Sequence, residues 1–171
     1  MSKGIKKTGV PSWEELKDTS GLPDEKRLEE GPVAFIECVQ EIPCNPCELA
    51  CPSGAITVGR PITNLPRIEG EKCTGCSLCL AACPGLAIFK VHKNYSETTS
   101  LVEFPFEFLP LPQECEIVRC VDRYGRFVTE GRVIKVKRLK KYDLTPLITI
   151  EVPKIFFSDV RSIEREVCNN D

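Results

Sequence analysis

The chain has 171 residues, a formal net charge of −2 and eleven cysteines. This length suits one or two small domains, and the near-neutral charge excludes recruitment of nucleic acid or an anionic membrane by a global field. Eight of the cysteines lie between positions 38 and 83, whereas a secreted disulfide scaffold spreads its bridges along the chain. The N-terminus lacks the apolar core of a secretory signal, and no apolar run reaches the length of a membrane helix. We therefore expect a cytoplasmic protein without a membrane span, whose clustered thiols hold metal.

Residues 1–31 are polar and repeatedly interrupted by glycine and proline. Within them, Ser12 and Glu15 fit a capping box, in which each side chain bonds the backbone amide of the other residue. We predict an extended N-terminal arm with one short helix. Two interpretations stay open: a loosely packed tail, or an arm that docks onto another subunit.

Residues 32–92 contain an internal repeat, which appears when the sequence is shifted by 32 residues. Ile36-Glu37 then falls on Ile68-Glu69, and Ala55-Ile56 falls on Ala87-Ile88. Two copies of one supersecondary unit are the simplest explanation. Each copy has the pattern of a strand, a cysteine-bearing loop, a helical turn and a second strand. The predicted strands are Val33–Ile36, Ala55–Val58, Pro66–Ile68 and Ala87–Val91, and we expect them to form one domain over residues 32–99.

Residues 100–171 are predicted to form a linker and a small antiparallel β module. The segment FPFEFLPLPQ is apolar and broken by proline, and we expect its alternating phenylalanines to pack on the module or on the preceding domain: Phe104, Phe106 and Phe108. Beyond it, β-branched runs are bounded by turn signals at Tyr124-Gly125 and Glu130-Gly131. The fold class expected for the whole chain is α+β.

A basic segment, GRVIKVKRLKKYD, lies within the predicted module. It carries Arg132, Lys135, Lys137, Arg138, Lys140 and Lys141. One interpretation is a solvated hairpin whose lysines protect a sheet edge; the other is a basic patch that faces an acidic partner surface. Binding of nucleic acid is disfavoured, because no aromatic residues interleave with the lysines.

The cysteines form two related runs. The second run, CTGCSLCLAACP, has the spacing C-x2-C-x2-C-x3-C-P of an iron–sulfur cluster loop, in which the fourth cysteine ligates the other of two clusters. The shift of 32 residues lays the first run, CNPCELACP, over it, with Glu41 on Cys73. One cluster is thus predicted to take Cys73, Cys76, Cys79 and Cys51. The other is predicted to take Cys44, Cys47, Cys83 and one further ligand.

We predict that Cys38 is this further ligand, because it follows the first strand and the extra three residues before Cys44 form a bulged loop. The alternatives are Glu41 or an open iron corner, with Cys38 a buried inert thiol. The cysteines outside the repeat are expected to be ordinary buried thiols: Cys115, Cys120 and Cys168.

Two other kinds of chemistry use cysteines. Zinc also binds C-x2-C pairs, but it needs four ligands from two knuckles and not overlapping runs of three with a distal Cys-Pro. A cysteine nucleophile needs a histidine base, and the only histidine, His92, lies just past a predicted strand and is expected on the surface.

The two runs resemble those of bacterial-type ferredoxins with two 4Fe-4S clusters, over residues 33–92. This resemblance implies a ferredoxin-like, pseudo-twofold (βαβ)2 domain. The stretch ECVQEIPCNPCELACP also resembles small iron–sulfur subunits found beside FAD-dependent amino-acid or amine dehydrogenases, including the proline and hydroxyproline types. That resemblance implies an electron-transfer subunit without its own active site, in a hetero-oligomer with FAD-containing dehydrogenase subunits. The alternatives are a free-standing ferredoxin and, from another class, a zinc-stabilised interaction module.

Overall fold

The protein is described by a computed structural model over residues 4–138, 140–142 and 145–165, and within these ranges it has five short α-helices and nine strands. The helices are α1 (Ile5–Thr8), α2 (Trp13–Lys17), α3 (Glu25–Glu29), α4 (Pro46–Leu49) and α5 (Leu78–Ala82). The strands are β1 (Val33–Ile36), β2 (Ile56–Thr57), β3 (Arg67–Ile68), β4 (Ile88–His92), β5 (Thr99–Pro105), β6 (Ile117–Val121), β7 (Phe127–Lys137), β8 (Leu147–Pro153) and β9 (Ser162–Ile163). In the described ranges, no helix is long and apolar enough to cross a bilayer.

Seven strands form one antiparallel sheet in the order β1-β4-β5-β8-β7-β6-β9, and β2 pairs with β3 separately. The four residues of β1 are all buried, because both faces of the sheet are covered. Val33 and Phe35 pack into one hydrophobic core, while Ala34 and Ile36 pack into a second core on the other face. The second core contains cysteines of both runs, so the cysteine loops lie against that face.

The sheet crosses the predicted boundary between residues 32–99 and 100–171. β5 begins at this boundary and pairs with β4 on one side and with β8 on the other. The segment predicted as a linker starts inside β5. Of its alternating phenylalanines, Phe104 and Phe106 are buried in the first core and Phe108 is half exposed. Local patterns predicted the four strands of the repeat to within one residue at each end. The pairing of strands that are distant in sequence is not contained in such patterns.

The N-terminal arm is not extended. It forms three short helices, and Leu16 and Leu28 are buried. The capping box predicted at Ser12 and Glu15 is present in full. Between α2 and α3 the backbone contacts both repeat halves, since the Gly21 carbonyl accepts a hydrogen bond from the Ile36 amide and the Ser20 carbonyl accepts one from the Ile68 amide. Helices this short depend on tertiary packing for their stability, which propensity alone does not reveal.

One of the two predicted turns in the β module is observed, and the other is wrong. Gly125 adopts a positive φ of 73° in the turn between β6 and β7. Gly131, by contrast, lies inside β7 and pairs with Val118. A Cβ atom at position 131 would lie 2.6 Å from the Cys120 sulfur and 3.1 Å from the Glu151 carbonyl oxygen. Glycine is therefore required here by close packing in the strand and not by a turn.

We predict that Gly131→Ala destabilises the protein by about 1–3 kcal/mol, the usual range for an overpacked core. Denaturant unfolding measures this loss. In a Cys120→Ala background the closest clashing atom is gone, so the same substitution should cost clearly less. An equal cost in both backgrounds would contradict the role assigned to the Cys120 sulfur.

Candidate iron–sulfur sites

The thiols of four cysteines line a cavity beside the C-terminal end of β1, here called the first site: Cys38, Cys44, Cys47 and Cys83. Cys38 lies two residues after β1, and Cys83 directly follows α5. The remaining lining is apolar or uncharged and includes Ile36 and Ile88. Glu41 is exposed and is not among the lining residues.

A second cavity, here called the second site, is lined by the other four cysteines of the repeat: Cys51, Cys73, Cys76 and Cys79. Each site therefore combines three cysteines of one repeat half with the Cys-Pro cysteine of the other half. These are the two sets that the sequence predicts, and the structure brings each set to one cavity. Ligation of a cluster by them stays a prediction.

The two sites are adjacent along the same face of the sheet. Ile36 lines the first site and Ala34 lines the second. On the paired strand, Ile88 lines the first site and Lys90 lines the second. Positions i and i+2 of a strand share a face and are separated by about 7 Å. Cofactors held in the two cavities would thus be close neighbours.

Backbone amides are directed at cysteine sulfurs in both sites. The Ala55 amide donates to the Cys51 sulfur at 3.2 Å, and the Ala87 amide donates to the Cys83 sulfur at 3.5 Å. These two contacts are equivalent under the repeat. At the second site, the Ala34 amide also donates to the Cys73 sulfur at 3.4 Å. Such hydrogen bonds favour the thiolate, which is the form that binds metal.

The pKa values of the thiols respond to burial and to this bonding. Burial raises the pKa of Cys47 to about 11, and the neighbouring thiols Cys83 and Cys44 add to the shift. Burial also raises the pKa of Cys79. For Cys51, burial acts in the same direction, but hydrogen bonds from Ser53 and from nearby backbone amides outweigh it and lower the pKa. Thiols with raised pKa values release their protons when metal binds, so loading of both sites is favoured at higher pH.

Sequence inspection missed Arg27, which lies on α3 and is buried. Its guanidinium group donates to the Gly70 carbonyl at 2.8 Å and to the Cys73 carbonyl at 2.9 Å, so it holds the start of the second cysteine run. It also donates to the carbonyls of Gly31 and Pro32. The only local signal was the N-cap Asp24, which predicts the helix but not the contacts of its side chains.

The remaining predicted residues are placed as follows. Cys120 is buried as expected, but Cys115 is exposed and adopts a positive φ of 71°, so the prediction of a buried thiol there is wrong. Cys168 lies outside the described residues. His92 is the last residue of β4, is half-buried and packs edge-on against Tyr95. Among the described residues, no three His, Cys, Asp or Glu side chains are grouped so as to hold one metal ion.

Residues 37–87 match the family of 4Fe-4S dicluster domains. This segment contains all eight cysteines of the two sites. Four thiols around each cavity, together with amides directed at their sulfurs, fit iron–sulfur clusters chemically. The match therefore supports 4Fe-4S cluster binding and iron–sulfur electron transfer by this part of the chain.

Curated relatives share short stretches with the chain. One, from Methanosarcina acetivorans, is a component of an ion-translocating oxidoreductase complex and is 49% identical over 47 residues, which are 28% of this chain and 17% of that protein. Another, from Acetobacterium woodii, is a component of a Na(+)-translocating ferredoxin:NAD(+) oxidoreductase complex and is 45% identical over 38 residues, 22% of this chain and 11% of that protein. An isethionate sulfite-lyase activating enzyme from Desulfovibrio desulfuricans is 34% identical over 74 residues, 42% and 23% of the two chains. The chain thus spans less than a quarter of each relative, and no solved structure matches.

Cys38→Ser tests the fourth ligand of the first site. Serine oxygen is a harder and poorer ligand for this iron than thiolate. We expect the first site to fall toward a three-iron form and the second site to stay intact, as followed by iron analysis and EPR. Glu41→Ala, Cys115→Ser and Cys120→Ser are the controls and should keep full iron content. Loss of iron in Glu41→Ala with full retention in Cys38→Ser would assign the ligand to the glutamate.

Arg27→Met tests the support of the second site. Removing the guanidinium takes its hydrogen bond from the Cys73 carbonyl and one of two from the Gly70 carbonyl, which keeps the Cys73 amide as donor. Iron should therefore leave the second site several-fold faster under a chelator while the first site is unchanged. Lys26→Met removes an exposed charge from the same helix and is the matched control. Equal chelation rates in the two variants would show that Arg27 does not hold this loop.

Proposed function

We propose that this chain is an electron-transfer subunit that relays electrons through two 4Fe-4S clusters. The observation that carries the proposal is the pair of adjacent cavities, each lined by four cysteines drawn from both repeat halves. When bound, the clusters supply one-electron chemistry, and the short separation of the sites along β1 and β4 favours transfer between them. The match to 4Fe-4S dicluster domains supports the same function. The antiparallel pairs β1–β4 and β2–β3 support a pseudo-twofold, ferredoxin-like arrangement of residues 32–99.

The partner in this proposal is an FAD-containing dehydrogenase in a cytoplasmic hetero-oligomer, and the chain has no active site of its own. Its basis is the resemblance of the first cysteine run to small subunits of amino-acid and amine dehydrogenases. Two relatives are named as subunits of oxidoreductase complexes, which supports a protein partner. Most of the chain also lies outside residues 37–87, and β5–β9 extend the sheet well beyond what the two sites require.

Iron and sulfide analysis of the anaerobically purified chain tests the cofactor. We expect about eight iron and eight sulfide per chain, the content of two cubane clusters, together with a brown colour. Zinc in place of iron, with a colourless protein, would establish the interaction module instead. A value near four iron would mean that one site does not hold a cluster.

Native purification tests the partner. The full-length chain, tagged in its own host and isolated without oxygen, should elute from gel filtration in a complex that contains FAD in a fixed ratio to iron. A free-standing ferredoxin would elute alone and without flavin. A complex that reproducibly lacks flavin would refute the dehydrogenase partner and leave the electron-transfer role intact.

A further inference from the structure

A charged side chain lines the second site, whereas none of the described residues that line the first site is Lys, Arg, His, Asp or Glu. Lys90 lies on β4 opposite Ala34, and its side chain lines the second site and is only 16% exposed. Its ammonium group donates to the Ser77 hydroxyl at 2.8 Å. Ser77 is buried and lies between two of the lining cysteines, Cys76 and Cys79. The described residues that line the first site are cysteine, isoleucine, proline, asparagine and glutamine.

The position of the ammonium group is fixed by an ion-pair network. Lys90 pairs with Glu103, which lies opposite it on β5 and is 1% exposed. Glu103 also accepts two contacts from Lys137, at 2.9 and 3.2 Å. Although burial acts to raise the pKa of Glu103, the two lysines outweigh it and hold this pKa below its usual value. The carboxylate is therefore ionised at neutral pH, and the three side chains together carry one net positive charge.

This charge breaks the symmetry of the repeat. Shifting the sequence by 32 residues lays Lys90 on Val58, a buried aliphatic residue of the second core. The two sites therefore differ in local electrostatics. A fixed positive charge in a poorly solvated cavity wall stabilises an additional electron nearby, and net charge is one of the determinants of cluster potential.

We propose that the positive charge of Lys90 raises the reduction potential of the second site and so directs electrons there from the first. The inference rests on the proposed function, because it requires a cluster at both sites. It gives the relay an internal direction. The second site holds the electron when the protein is half reduced.

Redox titration of the anaerobic, full-length holoprotein, followed by EPR, tests this inference. In Lys90→Met we expect the ratio of reduced to oxidised cluster at the second site, measured at a fixed potential, to fall about tenfold. This corresponds to a decrease of about 59 mV in the one-electron reduction potential. The first-site potential should move much less, because that site lies farther from the ammonium group. The Cys38→Ser variant, disturbed at the first site alone, identifies the second-site signal. Lys90→Arg keeps the charge and should retain a potential near that of the parent.

Glu103→Gln provides a test of opposite sign. It removes the negative charge and leaves both lysines, so the second-site potential should rise. A purely structural disturbance would shift the second-site potential of both variants in the same direction, and that result would overturn the inference. An unchanged second-site potential in Lys90→Met with full iron content would overturn it as well. If Lys90→Met loses iron, Glu103→Gln alone tests the inference: a rise in the second-site potential supports it, and a fall or no change overturns it. A parent protein with fewer than two clusters would instead refute the proposed function.

Discussion

The pairing of β1 with β4 is the constraint on which both candidate sites depend. The pair brings the start of the first repeat half against the end of the second, in the register Ala34↔Lys90 and Ile36↔Ile88. Side chains on one face of this pair form a wall of both cavities, and the opposite face is buried in the first core. Because successive strand residues alternate between faces, a shift of one residue would turn the wall side chains away from both cavities. The packing of Val33 and Phe35 on the far face thus fixes the register of the wall.

The segments outside the repeat brace this arrangement. Arg27 from the N-terminal helices bonds carbonyls at the start of the second cysteine run. On the other side, Glu37, which directly precedes Cys38, is buried and accepts hydrogen bonds from Arg161 at 2.6 Å and from Arg123 at 2.6 Å. Arg161 also lies over the Phe35 and Phe89 rings. Removing one partner from a buried ion pair typically costs about 3–5 kcal/mol, so the ion pairs of Glu37 link the chain segment that enters the first site to the stability of the fold. The N-terminal arm and the β module, which the sequence presents as additions to the repeat, thus help to hold the sites in place.

The positions of the cysteines could be predicted from the sequence, whereas the residues that pack around them could not. The grouping of the eight cysteines could be predicted, because the spacing within each run and the 32-residue repeat are local properties of the chain. Strands β1 and β4 could be predicted within a residue for the same reason. The role of Gly131 could not, because it depends on the Cys120 sulfur of a neighbouring strand. Arg27 and Lys90 were likewise missed, since a charged residue in a helix or strand has the same local pattern whether its side chain is solvated or buried against a distant loop. The segment predicted as a linker begins within β5, and the pairing of Phe104 with Ile148 of β8 could not be predicted for the same reason.

The two halves of the repeat also differ in how they present their first cysteine. In the second half, Cys73 follows a single turn of 3-10 helix at Gly70–Lys72, beyond the two-residue strand β3. In the first half, Cys38 lies two residues after β1, a strand of the main sheet. The longer loop that follows is fixed at its far end, where the Cys44 amide donates to the Ile62 carbonyl at 3.1 Å. A loop anchored at both ends can bulge outward between them, which is where the exposed Glu41 lies. The residue that the repeat aligns with Cys73 is thus carried to the surface, and a thiol at the end of a buried strand takes the place beside the cavity.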